Sequence, residues 1–159
     1  LAAGLSLAEV SDGLKNFSNI KGRLNIKQGI KDATLIDDTY NANPDSMKAA
    51  IDVLAAMPAP RIFVMGDMGE LGEDEAATMH AEVGAYARDK GIEAAYFVGD
   101  NSVEAAETFG AEGLWFADKD PLIQVLSHDL PERATVLVKG SRFMKMEEVV
   151  EALADKEIS

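Results

Sequence analysis

The chain has no cysteine. That excludes a disulfide framework and a thiolate metal site, and it makes the cytoplasm the expected compartment. No run approaches the roughly 20 consecutive apolar residues that a membrane-spanning helix needs, so no membrane partner is expected. Cations are scarce: 15 Lys and Arg stand against 28 Asp and Glu, for a formal net charge of −13. A nucleic-acid backbone calls for clustered Lys and Arg, so nucleic acid is not expected as a partner either. The histidines are His80 and His128, and no Ser-His-Asp arrangement or metal-ligand spacing stands out. Neither the dinucleotide fingerprint G-x-G-x-x-G nor the phosphate loop G-x-x-x-x-G-K-[ST] occurs,. The N-terminus, Leu-Ala-Ala-Gly-Leu-Ser-Leu-Ala-Glu-Val, lacks an initiator Met and a basic leader. It reads as a cut inside a longer protein rather than a signal peptide.

What is present suffices for one full domain with a small appendage in 159 residues, 47% of them apolar,. Short apolar runs at Ala33–Ile36, Ile62–Met65, Ala94–Val98, Leu114–Ala117 and Thr135–Val138 alternate with helical patterns. The helices are expected over Pro44–Met57, Asp74–Lys90, Ser102–Phe109, Pro121–Ser127 and Met146–Ala154. Continuously apolar strands separated by helices are the mark of parallel βαβ units covered on both faces. The fold class is therefore α/β: a Rossmann-like, doubly wound, mostly parallel sheet of about five to six strands flanked by helices. The Arg23–Ile30 stretch is expected as an edge strand. Ser6–Phe17 reads as a short amphipathic helix, with a domain boundary near Asn19–Gly22.

In such a sheet, ligands bind where strands end. Thr34–Ser46 is the richest of these ends. Its apolar run breaks at Asp37-Asp38-Thr39-Tyr40-Asn41 and restarts as a helix, with Asn43 as N-cap and Pro44 at the first helical position. Successive strand side chains alternate faces, so one of Asp37 and Asp38 faces the ligand crevice while the other caps or pairs locally. Lys139-Gly140-Ser141-Arg142 places two cations, a hydroxyl and a glycine at the last strand end, suited to gripping a carboxylate or phosphate. A structural alternative is an ion pair with Asp37 or Asp67 at the rim. Gly66–Gly72, spaced G-x-x-G-x-x-G, either admits a ligand close to its backbone or makes tight turns. His80 sits beside a helical core stripe and reads as structural; His128 reads as a helix-end residue.

Three segments in order carry a resemblance: Asp37-Asp38-Thr39-Tyr40-Asn41-Ala42-Asn43-Pro44-Asp45-Ser46-Met47, Gly66-Asp67-Met68-Gly69-Glu70-Leu71-Gly72 and Val138-Lys139-Gly140-Ser141-Arg142. Together they resemble the Mur ligases, in particular the branch that joins D-alanyl-D-alanine to UDP-N-acetylmuramoyl-tripeptide, with the match running from about Lys21 to Ala154. The resemblance implies an ATP-dependent acid–amino-acid ligase of peptidoglycan precursor synthesis, monomeric and cytoplasmic. In that family ATP phosphorylates the precursor's carboxylate and the incoming amine attacks the acyl-phosphate. It further implies that residues 21–159 are the family's Rossmann-like C-terminal domain and residues 1–20 the last helix of the central domain and a linker. ATP and Mg²⁺ are the implied cofactors, the Mg²⁺ held mainly by the central domain, with no metal site in this chain. By the same resemblance Arg23 reaches the ATP phosphates, Asp38 takes the ribose hydroxyls, and Tyr40 and Asn41 lie beside the nucleotide. Asn43 caps its helix and firms the loop, while Glu70, Leu71, Lys139, Ser141 and Arg142 surround the dipeptide. No residue of the chain is assigned a catalytic role, and alone it is expected to be inactive. Two other readings are a sister Mur ligase for another amino acid and, more distantly, a receiver-like module with Asp67 as phospho-acceptor.

Overall fold

The computed structural model describes residues 25–69 and 71–155. The expected helix Ser6–Phe17, the boundary near Asn19–Gly22, Arg23 and Glu70 lie outside the described residues. Among the described residues six strands form one sheet: β1 (Asn25–Gln28), β2 (Thr34–Asp38), β3 (Arg61–Gly66), β4 (Ala94–Val98), β5 (Gly113–Phe116) and β6 (Thr135–Lys139). Their spatial order is β1-β2-β6-β3-β4-β5. β1 runs antiparallel to β2 and every other pairing is parallel. Five helices connect or follow the strands: α1 (Pro44–Ala55), α2 (Glu73–Asp89), α3 (Ser102–Phe109), α4 (Lys119–Asp129) and α5 (Glu147–Leu153). The expected α/β, doubly wound, mostly parallel architecture is therefore present.

The two-residue strand period sorts the core into two layers. Ile36, Phe63, Met65, Phe97 and Leu137 share one face with residues of α1, α2 and α3. Leu35, Ile62, Val64, Val98, Val136 and Val138 share the other with residues of α4 and α5. Strands covered on both sides must be apolar throughout, which is why β2 and β6 are buried at every position,. β5 departs from that pattern. It is the sheet's other edge, and Trp115 keeps 41% of its surface exposed although its run reads as apolar as the inner strands.

Helix α1 begins as its residues dictate. The Asn43 side chain accepts a hydrogen bond from the Ser46 N–H at 2.8 Å, and the Ser46 hydroxyl accepts one from the Asn43 N–H at 3.0 Å, closing a capping box,. Met47, Ala50, Ile51 and Leu54 are then all buried, the expected stripe,. Helix α4 starts at Lys119, two residues ahead of the expected Pro121. Proline in a first turn lacks only an N–H that has no helical partner there.

At the start of β3 the Glu93 carboxylate accepts from the Arg61 backbone N–H at 2.8 Å and from its guanidinium at 3.0 Å. These hydrogen bonds hold the Glu93 carboxyl below the usual range. A depressed acid stabilises the fold above its unfolded pKa, about 4.3 for Glu, and that contribution is lost as pH falls through the lower, folded value. Glu93→Gln is thus expected to lower the Tm at neutral pH by a small amount, with the gap narrowing as pH falls below the unfolded value of about 4.3. Thermal melts of both proteins from pH 7 to pH 3 check this; a gap that does not narrow at all over that range contradicts it.

Candidate functional site

The chain leaves β2 for the α1 side of the sheet and β6, by way of α5, for the other. A crevice therefore opens at the carboxyl ends of these neighbouring strands, the topological switch point where α/β folds take ligands. Asp38 and Lys139 are Cα partners across this pair. They lie in the same alternation class as Ile36 and Leu137, so both project to the face of α1,. The Lys139 ammonium donates to Asp38 Oδ2 at 2.9 Å and to the Asn41 carbonyl at 2.9 Å. Lys139 is 2% exposed and Asp38 4%.

Sequence reasoning grouped Lys139 with the dipeptide contacts and, as the structural alternative, offered ion pairing with Asp37 or Asp67. The ion pair is made, but with Asp38. Asp37 points to the opposite face, where Lys27 of β1 donates to its Oδ2 at 2.9 Å and the Thr39 hydroxyl to its Oδ1 at 2.7 Å. Of the acidic pair, then, Asp38 faces the crevice and Asp37 is paired locally. Asp38 Oδ1 remains buried with no hydrogen-bond partner among the described residues. A buried carboxylate oxygen left bare costs free energy unless a donor arrives.

Ser141 supplies a second such atom: its hydroxyl is buried and without a partner among the described residues. Its backbone N–H donates to the Asp67 carbonyl at 2.9 Å, fastening the loop after β6 to the loop after β3. Close approach of these loops needs Gly140, where an added Cβ would stand 2.6 Å from Met146 Cγ and 3.2 Å from the Cα of Gly66. Arg142 is exposed on a short 3₁₀ turn and donates to Glu147 Oε2 at 3.0 Å. Tyr40 and Asn41 are exposed on the loop after β2, and the Asn41 side chain accepts from the Ala42 N–H at 2.8 Å. Leu71 is half-buried and packs on the core layer under α1 and α2.

Asp67 is buried and accepts three hydrogen bonds. Its Oδ1 accepts from the Ser102 N–H at 2.8 Å and hydroxyl at 2.7 Å, and its Oδ2 from the Asn101 N–H at 3.1 Å. Both oxygens are engaged at the start of α3, the arrangement of a carboxylate that fastens a helix start, and it gives the receiver-like reading no support. His80 is structural, as read from the sequence. It is wholly buried; Nε2 accepts from the Met68 N–H at 3.0 Å while Nδ1 donates to the Ala76 carbonyl at 2.7 Å. The ring thereby anchors the start of the Gly66–Gly72 loop to α2.

Sequence reasoning missed one rim residue, Phe143, and named Lys119 only as part of the fourth strand end, without a role. Phe143 is 66% exposed, beside Gly69, whose added Cβ would meet its ring at 3.3 Å. Lys119 donates to the Met144 carbonyl at 2.8 Å and pairs with Glu148 at 2.8 Å, pinning the turn that follows Ser141. Neither carries a motif signal, because both act through loops brought together only by the sheet order. A separate cavity of about 360 Å³, lined by Gln28, Asp32, Thr34, Pro58, Arg133 and Thr135, lies at the opposite, amino end of β2 and β6. Among the described residues no group of three or more His, Asp or Glu side chains could hold a metal ion. No helix among them is long and apolar enough to cross a membrane.

The UDP-N-acetylmuramoyl-tripeptide--D-alanyl-D-alanine ligase of Escherichia coli (strain K12) is 43% identical over 157 residues, which are 98% of this chain and 34% of that protein. A crystal structure of MurF from Acinetobacter baumannii superposes with a TM-score of 0.75 at 34% identity, covering 93% of this chain and 33% of its own. MurF from Thermotoga maritima in complex with ADP superposes with a TM-score of 0.73 at 26% identity, over 84% and 30% of the two chains. The chain thus spans about a third of the length of the relatives it matches. Residues 22–142 match the family model described as Mur ligase, glutamate ligase domain, and the chain belongs to the Mur ligase family.

Proposed function

We propose that this chain is the C-terminal domain of a ligase that adds D-alanyl-D-alanine to UDP-N-acetylmuramoyl-tripeptide at the expense of ATP. The observation that carries the reading is the bare, buried Asp38 Oδ1 at the switch point of the sheet. An acceptor with no donor of its own suits the hydroxyls of a ribose, the role a carboxylate plays at this point of dinucleotide folds. Tyr40 and Asn41, on the loop that follows, would lie beside the nucleotide, and Arg23 would reach its phosphates. Glu70, Leu71, Ser141 and Arg142 would surround the dipeptide, Ser141 with its bare hydroxyl and Arg142 with a guanidinium suited to a carboxylate. Mg²⁺ would be held mainly outside this chain, by the central domain, as the resemblance implies.

When bound, ATP supplies the phosphoryl group that activates the precursor's carboxylate. This domain's own contribution is orientation and closure. It holds the nucleotide and the incoming amine in register and excludes water from the reacting groups. The complete enzyme would be a monomer of the cytoplasm.

Asp38→Asn in the complete ligase tests the reading, because the isostere fills the same space but presents an amide donor where a carboxylate oxygen accepts. The KM for ATP is expected to rise about tenfold, equivalent to about 1.4 kcal/mol, with the KM for the dipeptide nearly constant. Steady-state kinetics with each substrate varied in turn measures both; an unchanged KM for ATP removes Asp38 from the nucleotide site.

A further inference from the structure

We infer that Lys139 is a positioning residue of the nucleotide half of the site rather than a contact of the dipeptide. The inference rests on the proposal that Asp38 receives the ribose. Lys139 is nearly wholly buried, at the end of a strand whose register sets it directly beside Asp38. Among the described residues its ammonium reaches two groups with different consequences. The bond to Asp38 Oδ2 fixes the plane of that carboxylate, and a carboxylate pinned by one oxygen must present the other in one direction. That other oxygen is the one without a donor among the described residues. The bond to the Asn41 carbonyl ties down the loop carrying Tyr40 and Asn41, the two further residues on the nucleotide side.

One ammonium therefore sets the direction of the ribose acceptor and the height of the loop beside it. Arg142, exposed three residues further on, pairs with Glu147 through Nη1, and the rest of its guanidinium fork can still meet a carboxylate at the rim. This division also answers why a buried lysine is retained in a chain so rich in surface acids: its charge is spent on geometry inside the crevice. An aliphatic side chain of similar length would fill the volume and leave Asp38 free to turn.

The test uses the complete ligase carrying Lys139→Met, Lys139→Gln, Asp38→Asn and Asp38→Asn/Lys139→Met. Lys139→Met is expected to raise the KM for ATP about tenfold or more while the KM for D-alanyl-D-alanine stays within about threefold. Lys139→Gln keeps a hydrogen-bond donor and is expected to show the same split with a smaller rise; it carries the test alone should the Met variant fail to fold. The double variant is expected to bind ATP no worse than the weaker single variant, since both changes act through one carboxylate. A rise confined to the KM for the dipeptide overturns the inference, as does full additivity of the two single effects on ATP. If Asp38→Asn leaves the KM for ATP unchanged, the nucleotide reading itself fails; if Asp38→Asn raises it and the lysine variants do not, only the role of Lys139 fails.

Discussion

Replacing Asp67 with alanine is expected to lower the stability of this chain by about 3–5 kcal/mol and its Tm by about 10 °C or more. The carboxylate accepts three hydrogen bonds, two of them from Asn101 and Ser102, the first N–H groups of α3. Those N–H groups have no partner inside the helix, and their dipoles favour a negative charge at this end. Charge-assisted bonds contribute about 1.5–3 kcal/mol each, and buried donors left bare add their desolvation cost. Asp67 fits here because Gly99 has no side chain: at φ 116° its backbone presses against the Asp67 carboxylate, where any Cβ would collide with it. The same residue's carbonyl holds the Ser141 N–H, so its displacement would also loosen the loop after β6. Thermal melts of the parent, Asp67→Ala and Asp67→Asn decide the matter. The amide keeps one acceptor and is expected to fall between the other two. A Tm for Asp67→Ala within about 2 °C of the parent would show that the start of α3 is satisfied without this carboxylate.

How far the sequence discloses such a site depends on which contacts are local. The Asn43 cap and the stripe that follows it involve residues within one or two turns of each other, so spacing alone places them. The same holds for the strands, whose unbroken apolar runs report burial on both faces. Alternation within β2 even separates Asp37 from Asp38. It does not say which of them lies beside Lys139, because that requires knowing that β6 inserts between β2 and β3. Without the strand order, Asp37 and Asp67 are equally plausible partners; with it, parity and register leave Asp38. The position of β5 illustrates the same limit. Leu114-Trp115-Phe116 is as apolar as an inner strand, yet among the described residues it lies at the edge of the sheet and Trp115 stays exposed. Asp67, Phe143 and Lys119 act through contacts between loops far apart in the chain, which no local spacing records.

The Asp38–Lys139 pair is the sharpest place to separate what stabilises the domain from what serves its site. Both side chains are buried, so each has given up its hydration for the other. Removing one member strands the opposite charge and is expected to cost about 3–5 kcal/mol, a large share of a typical domain's net stability. Replacing both by apolar side chains of similar size, as Asp38→Leu/Lys139→Met, is expected to cost less than either single change, because no bare charge remains. The new side chains would join the layer already formed by Ile36 and Leu137 under α1. Urea unfolding of the parent, Asp38→Leu, Lys139→Met and the double variant measures the cycle. Losses that simply add would mean the two residues do not act as a pair. Recovery in the double variant means that an apolar pair would serve the fold nearly as well as the ion pair. What the apolar pair lacks is the oxygen that Asp38 holds open: the complete ligase with the double change is expected to keep its fold and lose its hold on ATP. Those two outcomes together would explain a buried charge pair at this strand end by the proposed nucleotide rather than by the stability it contributes.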